Sequence, residues 1–188
     1  MSFSSKLHQW EVKTVTFTAD ETVFDRPTPP GFHRDDITAH IGHGDADFQS
    51  AIHGLATWAA HPTRWTRVLP RSATVAVGQT IIFAFGPTWA AIAAPCRVAS
   101  VQADADHYGF AYATLEGHPE TGIERFNVRR NAEGDVTFCI SAISSAHTWW
   151  ARCGGPLTRW IQIAITKDYV KQLERYVRRH GGSTTGNR

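Results

Sequence analysis

The sequence predicts an α+β protein in which a seven-stranded antiparallel sheet curves around a long C-terminal helix. Six runs of strand-like residues, divided by turn residues, fill the chain from Arg64 to Ile143. A short strand and a helix precede them, and a helical stripe of about 35 Å, at 1.5 Å per residue, follows. At 188 residues the chain suits one domain with a full core.

Residues 1–30 read as an irregular N-terminal leader. A strand is possible at Trp10 to Thr18, but the prolines at 27, 29 and 30 cannot sit inside a ladder. The domain itself spans 31–180 and opens with a short strand near Asp36 to Ile41. Asp45 to Ala60 is predicted helical, capped by Asp45 or Asp47 and stopped by Pro62, with Phe48, Ala51, Ile52, Leu55, Trp58 and Ala59 at helical spacing. Gly54 inside that helix points to a close neighbour.

The six following strands are Arg64 to Leu69, Gln79 to Phe85, Ala90 to Val101, His107 to Leu115, Gly122 to Arg130 and Asp135 to Ile143. Alternation puts Tyr108, Phe110, Tyr112 and Thr114 on one face, and Val136, Phe138, Ile140 and Ala142 on another. Asn131 to Gly134 is a hairpin loop. After Gly154-Gly155-Pro156 the last helix runs to about Arg179, with Ile161, Ile165, Tyr169, Leu173 and Tyr176 in one apolar stripe. Residues 181–188 are rich in Gly, Ser and Thr and read as a disordered tail.

A sheet bent around such a helix leaves a cavity unless large side chains fill it. The order of elements resembles the helix-grip fold of START and Bet v-like proteins, which hold apolar small molecules in that cavity. Particular residues also resemble the family called domain of unknown function nineteen-ninety, over Pro29 to Tyr176. They include Ala94-Pro95-Cys96-Arg97-Val98, Gly109-Phe110-x-Tyr112-x-Thr114-Leu115, Gly117-His118-Pro119-Glu120, Gly122-x-Glu124-x-Phe126 and Arg159-x-x-Gln162. The chain departs from that pattern in several places. Ala113 stands where Gly is usual and Glu116 where Pro is usual. Ile123 replaces the first of two adjacent glutamates, and Ser141 to Ser145 lacks a Ser-x-Pro. The resemblance implies relatives among lipid carriers, hormone receptors, aromatase/cyclases and hydrolases, but no activity of its own.

The Gly-His-Pro-Glu turn holds the chemistry that stands out. His118 titrates near neutral pH, and Glu120 and Glu124 could orient it or serve as a second base. The same residues could instead only fix the turn through side-chain-to-backbone bonds. If the Phe126 face points inward, Glu124 goes with it. A buried carboxylate then needs a partner, for which Arg97 and Arg159 are the candidates. Either arginine could also stabilise an oxyanion, and Arg159 could equally form a surface salt bridge.

Trp58, Tyr108, Phe110, Tyr112 and Phe126, with Gln162 from the last helix, are candidate ligand contacts. The tryptophans at 65, 89, 149, 150 and 160 add to an aromatic-rich chain, most of it core. His61 reads as a helix-terminal, dipole-stabilised histidine.

These features support an enzyme that reshapes a mainly apolar metabolite by proton transfer: cyclisation, dehydration, isomerisation or hydrolysis, of the kind used in biosynthesis, with no organic cofactor. The alternatives are a carrier or sensor using the same cavity, and an interaction module with an aromatic patch at Trp149-Trp150.

Net charge of +2 argues against a nucleic-acid partner, and no run reaches the roughly 18 apolar residues of a membrane span. His40, His43 and Asp45 are close in sequence but do not complete a metal site. Cys96, Cys139 and Cys153, odd in number, suit no disulfide framework. Gly42-x-Gly44 lacks the rest of a nucleotide-binding loop, and no G-x-S-x-G is present. A cytoplasmic protein, possible as a homodimer, is the expectation.

Overall fold

The computed structural model describes residues 7–61, 66–70, 74–87, 89, 91–146 and 155–182, with 155–163 as helical backbone. Its elements are α1 (Leu7–Glu11), a 3-10 turn (Glu21–Asp25), β1 (His33–His43), α2 (Gly44–Ala56), β2 (Thr66–Leu69), β3 (Thr80–Phe85), β4 (Ile92–Ala103), β5 (His107–Thr114), β6 (Glu120–Arg130), β7 (Asp135–Ala146) and α3 (Gly155–His180). The seven strands form one antiparallel sheet in the order β1-β7-β6-β5-β4-β3-β2. β1 and β2, neighbours in sequence, thus lie at opposite edges, with α2 between them in the chain. Register shifts at His40/Gly42 and Val98/Ser100 add the local twist that lets the sheet curl. This is the helix-grip architecture.

The curl gives the sheet two unlike faces. Inward side chains, at every second position of each strand, form the main core with α2 and the Tyr169, Leu173 and Val177 stripe of α3. Phe48, Leu55, Ile81, Phe110, Phe126, Phe138 and Leu173 are fully sealed there. Gly54 is where α2 meets α3. A Cβ at Gly54 would lie 2.8 Å from Leu173 Cδ1 and 2.9 Å from Tyr176 Cδ1, which is the close approach its mid-helix position implies.

The outer face carries a second cluster, Ile123, Ala111, Ala113 and Ile143 with Val23 and Phe24, against which Val15, Phe17 and Phe32 pack. The leader is therefore a cover, bound to the sheet along its own length. Val15 bridges Leu115, Thr16 N–H donates to Thr114 O at 2.9 Å, and Arg125 stacks 4.3 Å from the Phe24 ring centroid. The expected strand at Trp10 to Thr18 is replaced by the α1 turn and this one bridge.

β1 is longer than expected, because the whole of His33 to His43 can pair with β7. α2 is shorter, ending at Ala56. Thr57 caps it, its Oγ1 donating to His53 O at 2.7 Å, and Trp58 follows in the left-handed region at φ 61°. That reversal directs the chain inward a full turn before Pro62. Of the tail, residues 183–188 lie outside the described residues, as do Trp65, Trp149, Trp150 and Cys153. No helix among the described residues is long and apolar enough to cross a membrane.

Candidate functional site

The β5–β6 hairpin is symmetric about His118. Tyr112 therefore pairs with Glu124 and Phe110 with Phe126, all four on the inward face. The next strands extend this row: Glu124 pairs with Ala142, and Ala142 with Asp35. The inner face thus carries a cross-sheet row of Asp35, Ala142, Glu124 and Tyr112, with about 10 Å between the two carboxylate-bearing strands.

Tyr112 Oη donates to Glu124 Oε2 at 2.5 Å, a short bond. Burial pushes the Glu124 carboxyl up to about 7; the Tyr112 bond opposes this, and the charges of Glu120 and Asp35 add to it. The Glu124 residue keeps some accessible surface while its carboxyl is packed about by protein. Among the described residues its polar partner is thus a phenol and not a cation. The sulfur and phenols around it respond to the same environment. Cys96, Tyr112 and Tyr169 are all held well above their ordinary pKa, chiefly by burial and secondarily by the Glu124 charge.

Arg97 does not serve this carboxylate. It alternates with the inward Cys96 and Val98 and so points to the outer face. There its guanidinium donates to the backbone carbonyls of Trp10 at 3.1 Å, Glu11 at 2.7 Å and Lys13 at 3.0 Å, and to Thr80 Oγ1 at 3.2 Å. Its role is to pin the leader. Arg97→Ala should loosen residues 7–16: limited proteolysis cuts there at least several-fold faster, while near-neutral circular dichroism of the sheet is unchanged. Equal cleavage rates in the two proteins would contradict this. The side chains of Arg159 and Gln162 lie outside the described residues.

His118 has the turn-fixing arrangement. The Glu120 N–H donates to its Nδ1 at 2.9 Å, and the Glu120 carbonyl lies at the same distance. Burial pushes the ring down to about 4, so it is neutral at physiological pH. Glu120 begins β6 beside it and acts on Glu124 through its charge.

The expected aromatic contacts do come together: Trp58, Phe110, Tyr112 and Phe126 share one cluster, with Tyr108 further along β5. Their centre is His61, which corrects the helix-terminal reading. Because α2 ends at Ala56 and Trp58 reverses the chain, His61 reaches the interior with no exposed surface. Six rings surround it, with centroids at 4.7 Å (Phe126), 4.8 Å (Tyr169), 5.0 Å (Trp58), 5.4 Å (Phe83), 6.1 Å (Phe110) and 6.2 Å (Tyr112). Burial alone pushes its pKa down to about 3.

The interior beside α2 is therefore filled by these rings. Accessible inner surface begins one row away. Phe126 and Ile140 are 0% and 2% exposed, whereas Glu124, Ala142 and Asp35 all keep surface. Two surface clefts lie elsewhere. One of about 520 Å³ lies beside Arg97 and Thr80, and one of about 430 Å³ beside Asp45 and Arg130. His40 and His43 both turn to Asp135, at 3.4 and 3.3 Å, and not to Asp45. No metal-ligand cluster occurs among the described residues.

Comparison with known proteins agrees with this architecture. A UPF0548 protein of Dictyostelium discoideum is 26% identical over 160 residues, covering 78% of this chain and 74% of its own. One from Deinococcus radiodurans is 37% identical over 79 residues, 42% of this chain and 40% of its own. Among solved structures, a hypothetical protein of Helicobacter pylori aligns with a TM-score of 0.56 at 10% identity, over 78% of this chain and 87% of that one. The di-domain ARO/CYC protein StfQ of the steffimycin biosynthetic pathway gives 0.55 at 8% identity, over 79% and 52%. Ara h 8.0201 gives 0.53 at 11% identity, over 79% and 99%. At these identities the structural likeness is one of fold. Residues 13–172 match the family model described as Domain of unknown function (DUF1990), and the chain belongs to that family.

Proposed function

We propose that this protein binds a mainly apolar small molecule on the inner face of the sheet, at the row of Glu124 and Ala142. It converts that molecule by cofactor-free proton transfer, in a cyclisation, dehydration, isomerisation or hydrolysis. The observation that carries the reading is the Glu124 carboxyl, pushed up to about 7 by burial and held at 2.5 Å by the Tyr112 hydroxyl. A group with that pKa is half protonated at neutral pH, so it can give or take a proton without the driving force failing in either direction.

Tyr112 fixes which carboxyl oxygen is occupied and leaves Oε1 as the atom for the substrate. Its own pKa is held far above neutrality, so the phenol keeps its proton and serves as a donor. Ala142, paired with Glu124 on the next strand, is small and keeps accessible surface. The apolar core that flanks this row, Phe126 and Ile140 among it, suits a ligand with little charge. The ARO/CYC protein of the steffimycin pathway shares this fold, which is compatible with such chemistry but fixes no substrate.

Native mass spectrometry of protein purified from its own host tests the reading. A small molecule of mainly apolar character should travel with the chain and change mass or retention time on prolonged incubation. A ligand recovered unchanged makes the protein a carrier, and a chain that retains no small molecule overturns the proposal altogether.

A further inference from the structure

The imidazole at the centre of the fold is poorly suited to its surroundings. His61 has no exposed surface, and neither Nδ1 nor Nε2 has a hydrogen-bond partner among the described residues. The Trp58 indole N–H beside it is buried and unpartnered as well. Buried polar atoms normally find partners, and each one that does not is a cost the fold carries. A phenylalanine would fill the same space with no such cost. The backbone leading to His61 carries a second cost: Trp58 sits at φ 61°, a conformation rare for a bulky residue. Local rules broken together without a compensating gain are the mark of a functional place in a structure.

The cage itself has the dimensions of one flat ring. Six aromatic groups meet the imidazole at centroid distances of 4.7 to 6.2 Å, the range in which aromatic rings attract one another. Phe83 lies nearly parallel to it, at 22°. One wall of the cage, Tyr112, is also the residue that holds Glu124. A ring seated where the imidazole now lies would be separated from the carboxyl by that one side chain.

We propose that this cage is the seat for a flat, uncharged ring of the ligand, and that His61 is the chain's own occupant of that seat and leaves it when the ligand enters. This rests on the functional reading above and specifies its substrate class. The ring carries a hydroxyl or keto oxygen. That oxygen accepts from the Trp58 N–H or reaches the Tyr112–Glu124 pair, the polar groups that the cage leaves at its edge. A ring bearing a carboxylate fits poorly, because the Glu124 carboxyl lies in the adjoining row. The groups able to titrate around His61 are the phenols of Tyr112 and Tyr169, both raised by burial, with Glu124 beyond them. Burial is the sole influence on the imidazole, so no neighbouring charge holds it protonated inside. Once out in solvent, His61 regains its ordinary basicity.

The test uses phenol, a single neutral flat ring with one hydroxyl, titrated at pH 7.5 into the full chain and followed by calorimetry. His61→Ala removes the occupant and should bind the probe at least 10-fold more tightly than wild type. His61→Phe fills the seat permanently, should raise the melting temperature, and should weaken binding at least 10-fold. Calorimetry reads binding without turnover, so the ring seat is tested separately from the acid–base reading. Should His61→Ala not fold, nitrogen-15 NMR of wild type decides the matter. At saturating probe the His61 imidazole should pass from a buried, non-titrating state to one titrating near its ordinary value of about 6.5. The proposal is overturned if His61→Phe binds as wild type does, if a folded His61→Ala binds no better, or if the His61 signals stay in the buried state under saturating probe.

Discussion

The Glu124→Gln variant folds, melts above wild type at pH 8, and loses turnover of any converted ligand by two to four orders of magnitude, the usual worth of a positioned acid–base group. The stability half follows from proton linkage. In the folded chain the carboxyl keeps its proton up to about pH 7, while the unfolded chain releases it near 4.5. The stabilising contribution of the protonated form is complete below 4.5, and it is lost as pH rises through 7. The loss in wild type above pH 7 is roughly 2–3 kcal/mol. Glutamine carries no charge at any pH and still accepts from the Tyr112 hydroxyl. Its melting temperature at pH 8 should therefore exceed that of wild type by about 4–10 °C, and the two should converge at pH 4.5. His61 and His118 destabilise both proteins alike in acid, since their folded pKa values of about 3 and 4 lie below the ordinary 6.5. They cancel in the difference. Identical melting curves at pH 8 would show that Glu124 titrates as a solvated carboxylate.

Phe126→Ala gives the largest loss of stability, about 3–5 kcal/mol. The ring has no exposed surface and meets His61 at 4.7 Å, Phe110 at 5.2 Å and Tyr112 at 5.4 Å. Removing it leaves a void bounded by stacked rings on a sheet whose register is fixed, so little can move to fill it. Thermal melting should drop by about 10 °C or more. Trp89→Ala provides the contrast, because Trp89 is 88% exposed and its loss should cost less than about 0.5 kcal/mol. A drop of only a few degrees for Phe126→Ala would mean that the ring cluster is not the structural centre.

Strand periodicity made much of this site legible in advance. Once Phe126 is taken as inward, period-two alternation carries Glu124 with it. A hairpin centred on His118 then places Tyr112 across from that carboxylate. A cation is the partner expected for a buried carboxylate that stays charged. At a pKa of about 7 it need not stay so, and a phenol suffices.

Arg97 was misplaced for a different reason. Its parity, opposite to Cys96 and Val98, was visible in the sequence, but the leader looked structureless and offered nothing for an outward arginine to hold. The three leader carbonyls that it binds are defined only once residues 10–13 fold back on the sheet.

His61 was hidden by the end of α2. Apolar spacing continues to Ala59, and Pro62 looks like the stop, yet the helix ends at Ala56. A tryptophan in the left-handed region has no sequence signature, and the inward path of the chain depends on that one residue.

The account as a whole depends on a glutamate that titrates near neutrality inside the fold. Carbon-13 NMR of the side-chain carboxyls, followed from pH 3 to pH 9, measures this directly. Glu124 should titrate near 7, well above the ordinary glutamate value of 4.5, and Tyr112→Phe should shift it further upward because a bond to the ionised form is lost. A Glu124 midpoint near 4.5 would contradict the account.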